Sequence, residues 1–146
     1  MNRITAIVLA VLAAGIVATT GSAGSAARSG ALHVTKECSH YDGTVGSFCT
    51  ITSSNINAIR PGMRAVYLGA LAGGMLDADL VLSSEHGSAA TGHVVLDLTA
   101  AHGHVTFAGG TGTFAGFEAD AVVSLDAHGV WHWDGTYSFT PPGHEG

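Results

Sequence analysis

Apolar and polar residues alternate with a period of two along most of the chain after residue 31. The alternation is clearest in one run, where the apolar positions are Phe117, Ala119, Ala121, Val123 and Leu125. A period of two places successive side chains on opposite faces of a β-strand. No convincing helical period occurs beyond the first 27 residues, so the pattern predicts an all-β fold.

Turn signals divide this part of the chain into about eight predicted strands. The predicted strands cover residues 31–36, 47–54, 63–71, 76–84, 91–99, 104–108, 117–126 and 130–140. The intervening turns include Gly73-Gly74, His102-Gly103 and a glycine-rich corner that begins at Gly109-Gly110 and ends at Gly116. Short connections make neighbouring strands antiparallel, and the sequence therefore predicts an antiparallel meander that closes into a β-barrel.

The last predicted hairpin also has a predicted register. A three-residue loop, Ala127-His128-Gly129, with its glycine in the left-handed region, would place Val123 opposite Trp133 and Leu125 opposite Trp131. This register keeps the large apolar residues of both strands on one face.

Charged residues make up only 11% of the chain, less than half the usual share of roughly 25%. The net charge is −6 and the few basic residues are scattered, so the sequence offers no basic surface for nucleic acid or for an anionic membrane. A chain of 146 residues supports one domain with its own core.

The N-terminal 27 residues have the pattern of a secretory signal peptide. Arg3 precedes an apolar stretch, residues 4–18, and small residues follow, with cleavage expected after Ala23 or after Ala27. The alternative is a membrane anchor, but the stretch is short of the roughly 20 residues that a membrane-spanning helix needs. We therefore expect a secreted protein whose single domain covers residues 28–146, without stable membrane insertion after cleavage.

Cys38 and Cys49 are the only cysteines, and export makes a disulfide between them plausible. The alternative is a reactive thiol, for which only Lys36 and His40 lie near enough in sequence to lower the pKa. We predict the disulfide.

Two polar patterns invite a catalytic or metal-binding interpretation. Nine histidines are present, but His86, His102 and His128 each precede a glycine at a predicted turn, and His102-Gly103-His104 lacks a third ligand at a fixed offset, so no metal or other cofactor is predicted. Six carboxylates alternate with apolar residues, which predicts that they lie outside the barrel rather than acting as a buried acid and base. They are Asp77, Asp79, Asp97, Glu118, Asp120 and Asp134.

Aromatic residues concentrate on the predicted inner face. The candidates for lining an apolar ligand cavity are Tyr67, Phe107, Phe114, Trp131, Trp133 and Tyr137. Small inward residues such as Ala65 and Ala119 leave room for a ligand, but the same aromatic side chains could instead fill the barrel, and both interpretations stay open.

Two segments resemble the allene oxide cyclase and dirigent superfamily of calycin-like barrels. Val105–Gly116 is similar to the corner between two barrel strands, and Trp133–Phe139 is similar to a late strand. More narrowly, the chain resembles bacterial secreted proteins that carry such a domain. The resemblance implies an eight-stranded antiparallel barrel with an apolar cavity, often in a homo-oligomer. Characterised members cyclise a lipid epoxide or guide phenoxy-radical coupling without a cofactor. The resemblance assigns no catalytic residue here.

Three functions follow as hypotheses. The first is a secreted module that binds a small hydrophobic molecule in the barrel. The second is a cofactor-free isomerase or cyclase that controls substrate conformation in the same cavity, with a buried carboxylate or asparagine as its polar group. The third is a filled barrel with an extracellular structural or interaction role.

Overall fold

The structure, a computed structural model, describes residues 28–141. The predicted signal peptide, residues 1–27, and the last five residues lie outside the described residues.

Residues 28–141 form eight strands and one 3-10 turn. In chain order they are β1 (Arg28–Glu37), β2 (Phe48–Ser54), β3 (Arg64–Tyr67), β4 (Met75–Ser83), β5 (Ala89–Asp97), β6 (His102–Thr111), the 3-10 turn (Gly112–Phe114), β7 (Phe117–Leu125) and β8 (Trp131–Phe139).

Each strand pairs antiparallel with the next one in sequence, and β8 pairs with β1, so the sheet closes into a barrel. The closing pair is long and regular, and it runs from Arg28 opposite Phe139 to Lys36 opposite Trp131. Within residues 28–141, closure gives every strand a partner strand on each side. The predicted all-β antiparallel meander barrel is confirmed.

The two ends of the barrel differ in what covers them. One end, here called the disulfide end, carries the connections 38–47, 68–74, 98–101 and 126–130. The other, here called the corner end, carries the connections 55–63, 84–88 and 112–116. Alternate residues of every strand point inward and form one continuous apolar core between the two ends.

The register predicted for the last hairpin is confirmed. Val123 lies opposite Trp133 and Leu125 lies opposite Trp131. Gly129 has φ +80°, and its amide donates to the carbonyl oxygen of Asp126. A glycine adopts this left-handed conformation without steric cost, as the predicted loop requires.

The predicted turn at His102-Gly103 is wrong and the predicted corner begins too early, because Gly103, Gly109 and Gly110 belong to strand β6. Gly103 pairs with Leu96 on one side and Val123 on the other, and Gly110 pairs with Ala90. A Cβ atom on either glycine would overlap a carbonyl oxygen of β5. These glycines therefore allow close approach of neighbouring strands, and the true β5–β6 turn lies at residues 98–101.

The predicted strand 63–71 is also too long, since β3 ends at Tyr67. Beyond it the chain leaves the ladder and Leu71 donates its amide to the carbonyl oxygen of Gly43, in the connection between β1 and β2. The two connections thus hold each other in place at the disulfide end.

The corner that follows β6 closes the opposite end of the barrel. Phe114 and Phe117 are fully buried, with ring centroids 5.3 Å apart. Gly116 has φ +74°, and its carbonyl oxygen accepts a hydrogen bond from the amide of Thr140, which fixes the corner to the chain beyond β8. The two phenylalanines plug this end of the barrel.

Candidate functional site

The only lysine in the chain, Lys36, lies inside the barrel. It follows Leu32 and Val34 on the inward face of β1, and its side chain is 2% exposed. The pairing of β1 with β2 shifts register at this point, so that Thr35 lies opposite Ser53 but Lys36 lies opposite Ile51. Irregular pairing of this kind re-aims a side chain and is common beside functional sites.

The Lys36 amine contacts aromatic groups from two other strands. Its Nζ atom donates a hydrogen bond to the hydroxyl oxygen of Tyr67 at 2.6 Å. The same atom lies 4.9 Å from the ring centroid of Trp133, 5.3 Å from that of Tyr67 and 5.9 Å from that of Trp131. Each distance is within the range in which a cation is attracted to a ring face.

No carboxylate neutralises this amine within the described part of the chain. The ion pairs found among residues 28–141 each join a histidine to an aspartate, on the outside of the barrel. A buried charge without a counter-ion is costly, and an amine responds to that cost by losing its proton more easily.

Burial lowers the pKa of Lys36 from the ordinary 10.5 to about 7. Burial also raises the pKa of its partner Tyr67, with a smaller contribution from Tyr41. The phenol therefore stays protonated across the physiological range, while the amine is divided between its charged and neutral forms.

A small cavity of about 20 Å³ adjoins Lys36 at the disulfide end. The side chains that line it are Lys36, Cys38, Tyr41, Cys49, Tyr67, Leu76, Leu96, Leu98 and Trp131. This volume suits about one water molecule or the polar head of a ligand, and is far below the roughly 300 Å³ of a pocket for a whole drug-sized molecule.

Two buried polar atoms near this site have no hydrogen-bond partner among residues 28–141. They are the hydroxyl oxygen of Tyr41, which lines the cavity, and Nε1 of Trp133. The Tyr41 ring packs edge-on against the Tyr67 ring, with centroids 5.2 Å apart. Buried polar atoms are nearly always paired, so an unpaired hydroxyl beside a cavity indicates room for a polar partner.

The predicted disulfide between Cys38 and Cys49 is present and forms part of the cavity wall. It ties the segment 38–47 to the start of β2. Two backbone hydrogen bonds hold the same segment further along. The amide of Gly46 donates to the carbonyl oxygen of Tyr67, and the amide of Leu71 donates to the carbonyl oxygen of Gly43. The cover of the cavity is thus fixed at three points.

The structure divides the six predicted cavity residues among three places. Tyr67 and Trp131 line the small cavity. Trp133, Phe107 and Phe114 are buried in a chain of aromatic contacts that fills the barrel from Lys36 to the corner end. Tyr137 is only half-buried and packs against Phe139 near the corner end.

Lys36 was missed as a site residue, although the sequence carried a signal for it. Leu32, Val34 and Lys36 alternate on one face of the first predicted strand. That alternation assigns the lysine to the inside of the barrel, where a charged side chain is rare.

The carboxylates lie on the outer surface, as predicted, with Asp97 partly covered. Several pair with histidines across neighbouring strands. His93 bonds both Asp77, at 2.6 Å, and Asp79, at 2.8 Å, and hydrogen bonds to Asp79 and then Asp77 raise the pKa of His93. No group of three or more potential metal ligands was found among residues 28–141.

Larger depressions lie on the outer surface. One of about 470 Å³ at the corner end runs between Arg60, Met63, His86 and Thr113, and another of about 610 Å³ lies beside Tyr137. Neither contains a buried side-chain polar atom that lacks a partner. The Lys36 cavity is smaller but has the more unusual chemistry.

Within residues 28–141 no helix is long and apolar enough to span a membrane. No protein-family model, curated protein or solved structure matches the chain.

Proposed function

We propose that this protein is a secreted binding protein for a small apolar molecule whose polar head group contacts Lys36 at the disulfide end of the barrel. The observation that carries the proposal is a buried amine that adjoins a cavity and has no carboxylate partner among residues 28–141. A carboxylate or carbonyl oxygen in the cavity would supply the missing acceptor.

Three polar groups in this cavity could form hydrogen bonds with the head group. Lys36 uses one N–H for Tyr67, so two further N–H donors remain when the amine is protonated. The Tyr67 hydroxyl accepts from Lys36 and can donate its own proton to the ligand. The Tyr41 hydroxyl has no partner among the residues that the structure describes and can donate its proton in the same way.

The apolar part of the ligand would lie above the cavity rather than in it, because the cavity has room for the head alone. Leu98, Leu125 and Trp131, here called the apolar rim, are all partly exposed at the disulfide end. Leu125 lies directly opposite Trp131 across the β7–β8 ladder, and Leu98 and Trp131 both line the cavity. A short alkyl or aromatic tail on this rim would remove apolar surface from water.

The resemblance of Val105–Gly116 and Trp133–Phe139 to the allene oxide cyclase and dirigent superfamily supports a small-molecule role. The predicted signal peptide and the disulfide support export, because disulfides persist in oxidising compartments. A cyclase or isomerase at the same site is the second candidate. No carboxylate is buried among residues 28–141, so the neutral amine of Lys36 would be its proton acceptor.

Tryptophan fluorescence tests the binding function directly, since both tryptophans of the chain lie within 6 Å of the Lys36 amine. The oxidised mature protein is titrated with octanoate, octanal and octanol, which share a tail and differ in head group. Octanoate is expected to give saturable one-to-one quenching and octanol a weaker response. Lys36→Met should weaken octanoate binding by at least about tenfold.

Arg64→Met is the matched control, because it removes the same charge from an exposed position on β3. Its octanoate affinity should equal that of the wild type. A flat response to all three compounds would overturn the proposal and favour the filled barrel with a structural or interaction role.

A further inference from the structure

Lys36 differs from an exposed lysine in how much of its amine is neutral near pH 7. A lysine amine is a nucleophile only in its neutral form, and an exposed lysine is neutral in fewer than about one molecule in a thousand at pH 7. Lys36 is neutral in about half of the molecules at that pH, because burial holds its pKa at about 7.

The groups that face the amine leave its nitrogen free to react. They are Tyr67 from β3, Trp131 and Trp133 from β8, and Tyr41 from the segment between β1 and β2, which reaches the same cavity. None of them is anionic, and no carboxylate from the elements packed there pairs with the amine in residues 28–141. No carboxylate among residues 28–141 holds the proton on the nitrogen, and burial outweighs the attraction of the aromatic rings for the charged form.

We propose that Lys36 binds aldehydes or ketones covalently, by forming an imine with the carbonyl carbon of the ligand. The inference rests on the proposed binding site and narrows its ligand class to apolar carbonyl compounds. The lone pair of Nζ attacks the carbonyl carbon, the C–N bond forms, and the oxygen takes up a proton to give a carbinolamine. The C–O bond then breaks, and the carbonyl oxygen leaves as water with the two protons that the amine carried.

The tyrosine hydroxyls are placed to assist both steps. Tyr67 lies 2.6 Å from Nζ, and its phenol keeps its proton because burial raises its pKa. It can donate to the carbonyl oxygen during attack and to the leaving hydroxyl during dehydration. The Tyr41 hydroxyl, which has no hydrogen-bond partner in the described part of the chain, is a second donor in the same cavity. The cavity volume of about 20 Å³ accommodates the oxygen that becomes the leaving water.

Reductive trapping tests the inference, and the sequence makes the test unusually simple. The oxidised mature protein is incubated with octanal and sodium cyanoborohydride at pH 7, and the adduct is located by peptide mapping. Lys36 and the N-terminal α-amine are the only aliphatic amines in the chain, so the α-amine is an internal reference. In the folded protein, the ratio of Lys36 labelling to α-amine labelling should exceed that in the urea-unfolded chain by at least about tenfold.

Two further arms make the result decisive. Octanol in place of octanal should give no adduct, and Tyr67→Phe should slow labelling of Lys36 while leaving labelling of the α-amine unchanged. Lys36 labelling that is no faster in the folded than in the unfolded protein would overturn the inference. If octanoate still quenches fluorescence in that case, the binding function stands and only the covalent step is wrong; if octanoate does not, both fail.

Discussion

The Nζ atom of Lys36 lies 2.6 Å from the hydroxyl oxygen of Tyr67, and both side chains are buried between β1 and β3 inside the barrel. The bond joins strands that are not neighbours in the sheet, since β2 lies between them. The hydroxyl is the one hydrogen-bond acceptor that the described residues offer this amine.

Tyr67→Phe should destabilise the protein at acidic pH and do less above neutral pH. At pH 6 the protonated amine would lose its acceptor, at a cost of about 2 kcal/mol in the free energy of unfolding. At pH 8.5 most of the amine is neutral and the cost should shrink. Urea unfolding of the wild type and of Tyr67→Phe measures the loss of stability at each pH. Tyr41→Phe is the control, because the Tyr41 hydroxyl has no hydrogen bond to lose among residues 28–141. Equal losses in the two variants would contradict the role of Tyr67.

Stability should rise with pH above neutrality because of Lys36. Its pKa is 10.5 in the unfolded chain and about 7 in the folded one, so between those values the unfolded chain binds more protons. The free energy of unfolding should therefore increase by about 2 kcal/mol between pH 7 and pH 9.

Lys36→Met should remove this rise and also stabilise the protein at pH 7, because it replaces a buried, partly charged group with an apolar one of similar length. Urea midpoints of both proteins across the pH range provide the test. His93 is present in both and acts in the opposite sense: its raised pKa gives stability that is lost as pH rises through the folded pKa. Subtracting the unfolding free energy of one protein from that of the other at each pH removes the contribution of His93. Parallel pH profiles would contradict the account.

Breaking the disulfide should loosen the cover of the cavity without abolishing the barrel. The bond closes a loop between residues 11 apart, and its loss should cost about 3 kcal/mol in the chain-entropy description. The double variant Cys38→Ser, Cys49→Ser should unfold at lower urea and bind octanoate more weakly than the wild type. Unchanged affinity in a protein that remains folded would show that the segment 38–47 does not shape the site.

Two glycines with similar φ angles should respond very differently to substitution by alanine. In Gly129→Ala the new side chain has open space, and the only penalty is the left-handed conformation at φ +80°. This variant should lose about 1 kcal/mol in the free energy of unfolding. Gly116→Ala, at φ +74°, would in addition drive its Cβ into the carbonyl oxygen of Thr140 and should cost at least about 2 kcal/mol more. Thermal or urea unfolding of the pair provides the comparison. Equal losses would mean that the corner is not held against the chain beyond β8.

The sequence predicted the architecture well because alternation is a local property. The face of each strand and the pairing of Val123 with Trp133 follow from residues close together in the chain. The sequence does not separate Gly103 and Gly110 from turn glycines, because a glycine required for close approach of two strands has the same sequence signal as a glycine required for a turn.

The site was harder to predict than the fold. Aromatic character identifies Tyr67 and Trp131 as candidates, whereas in the sequence Lys36 stands out only as a neighbour of the cysteines. Its partner Tyr67 lies 31 residues further along the chain, and their contact depends on how β1 and β3 are placed in the closed barrel. The size of the cavity depends on how Phe107, Phe114 and Trp133 pack together, which composition does not determine.

The titration of Lys36 tests the central claim most directly. Because the chain has one lysine, selective isotopic labelling of lysine gives a single side-chain resonance to follow by NMR as pH changes. We predict a midpoint near pH 7, which Tyr67→Phe shifts and Arg64→Met does not. A midpoint near the ordinary value of 10.5 would show that the amine is solvated, and would contradict both the binding site and the chemistry proposed for it.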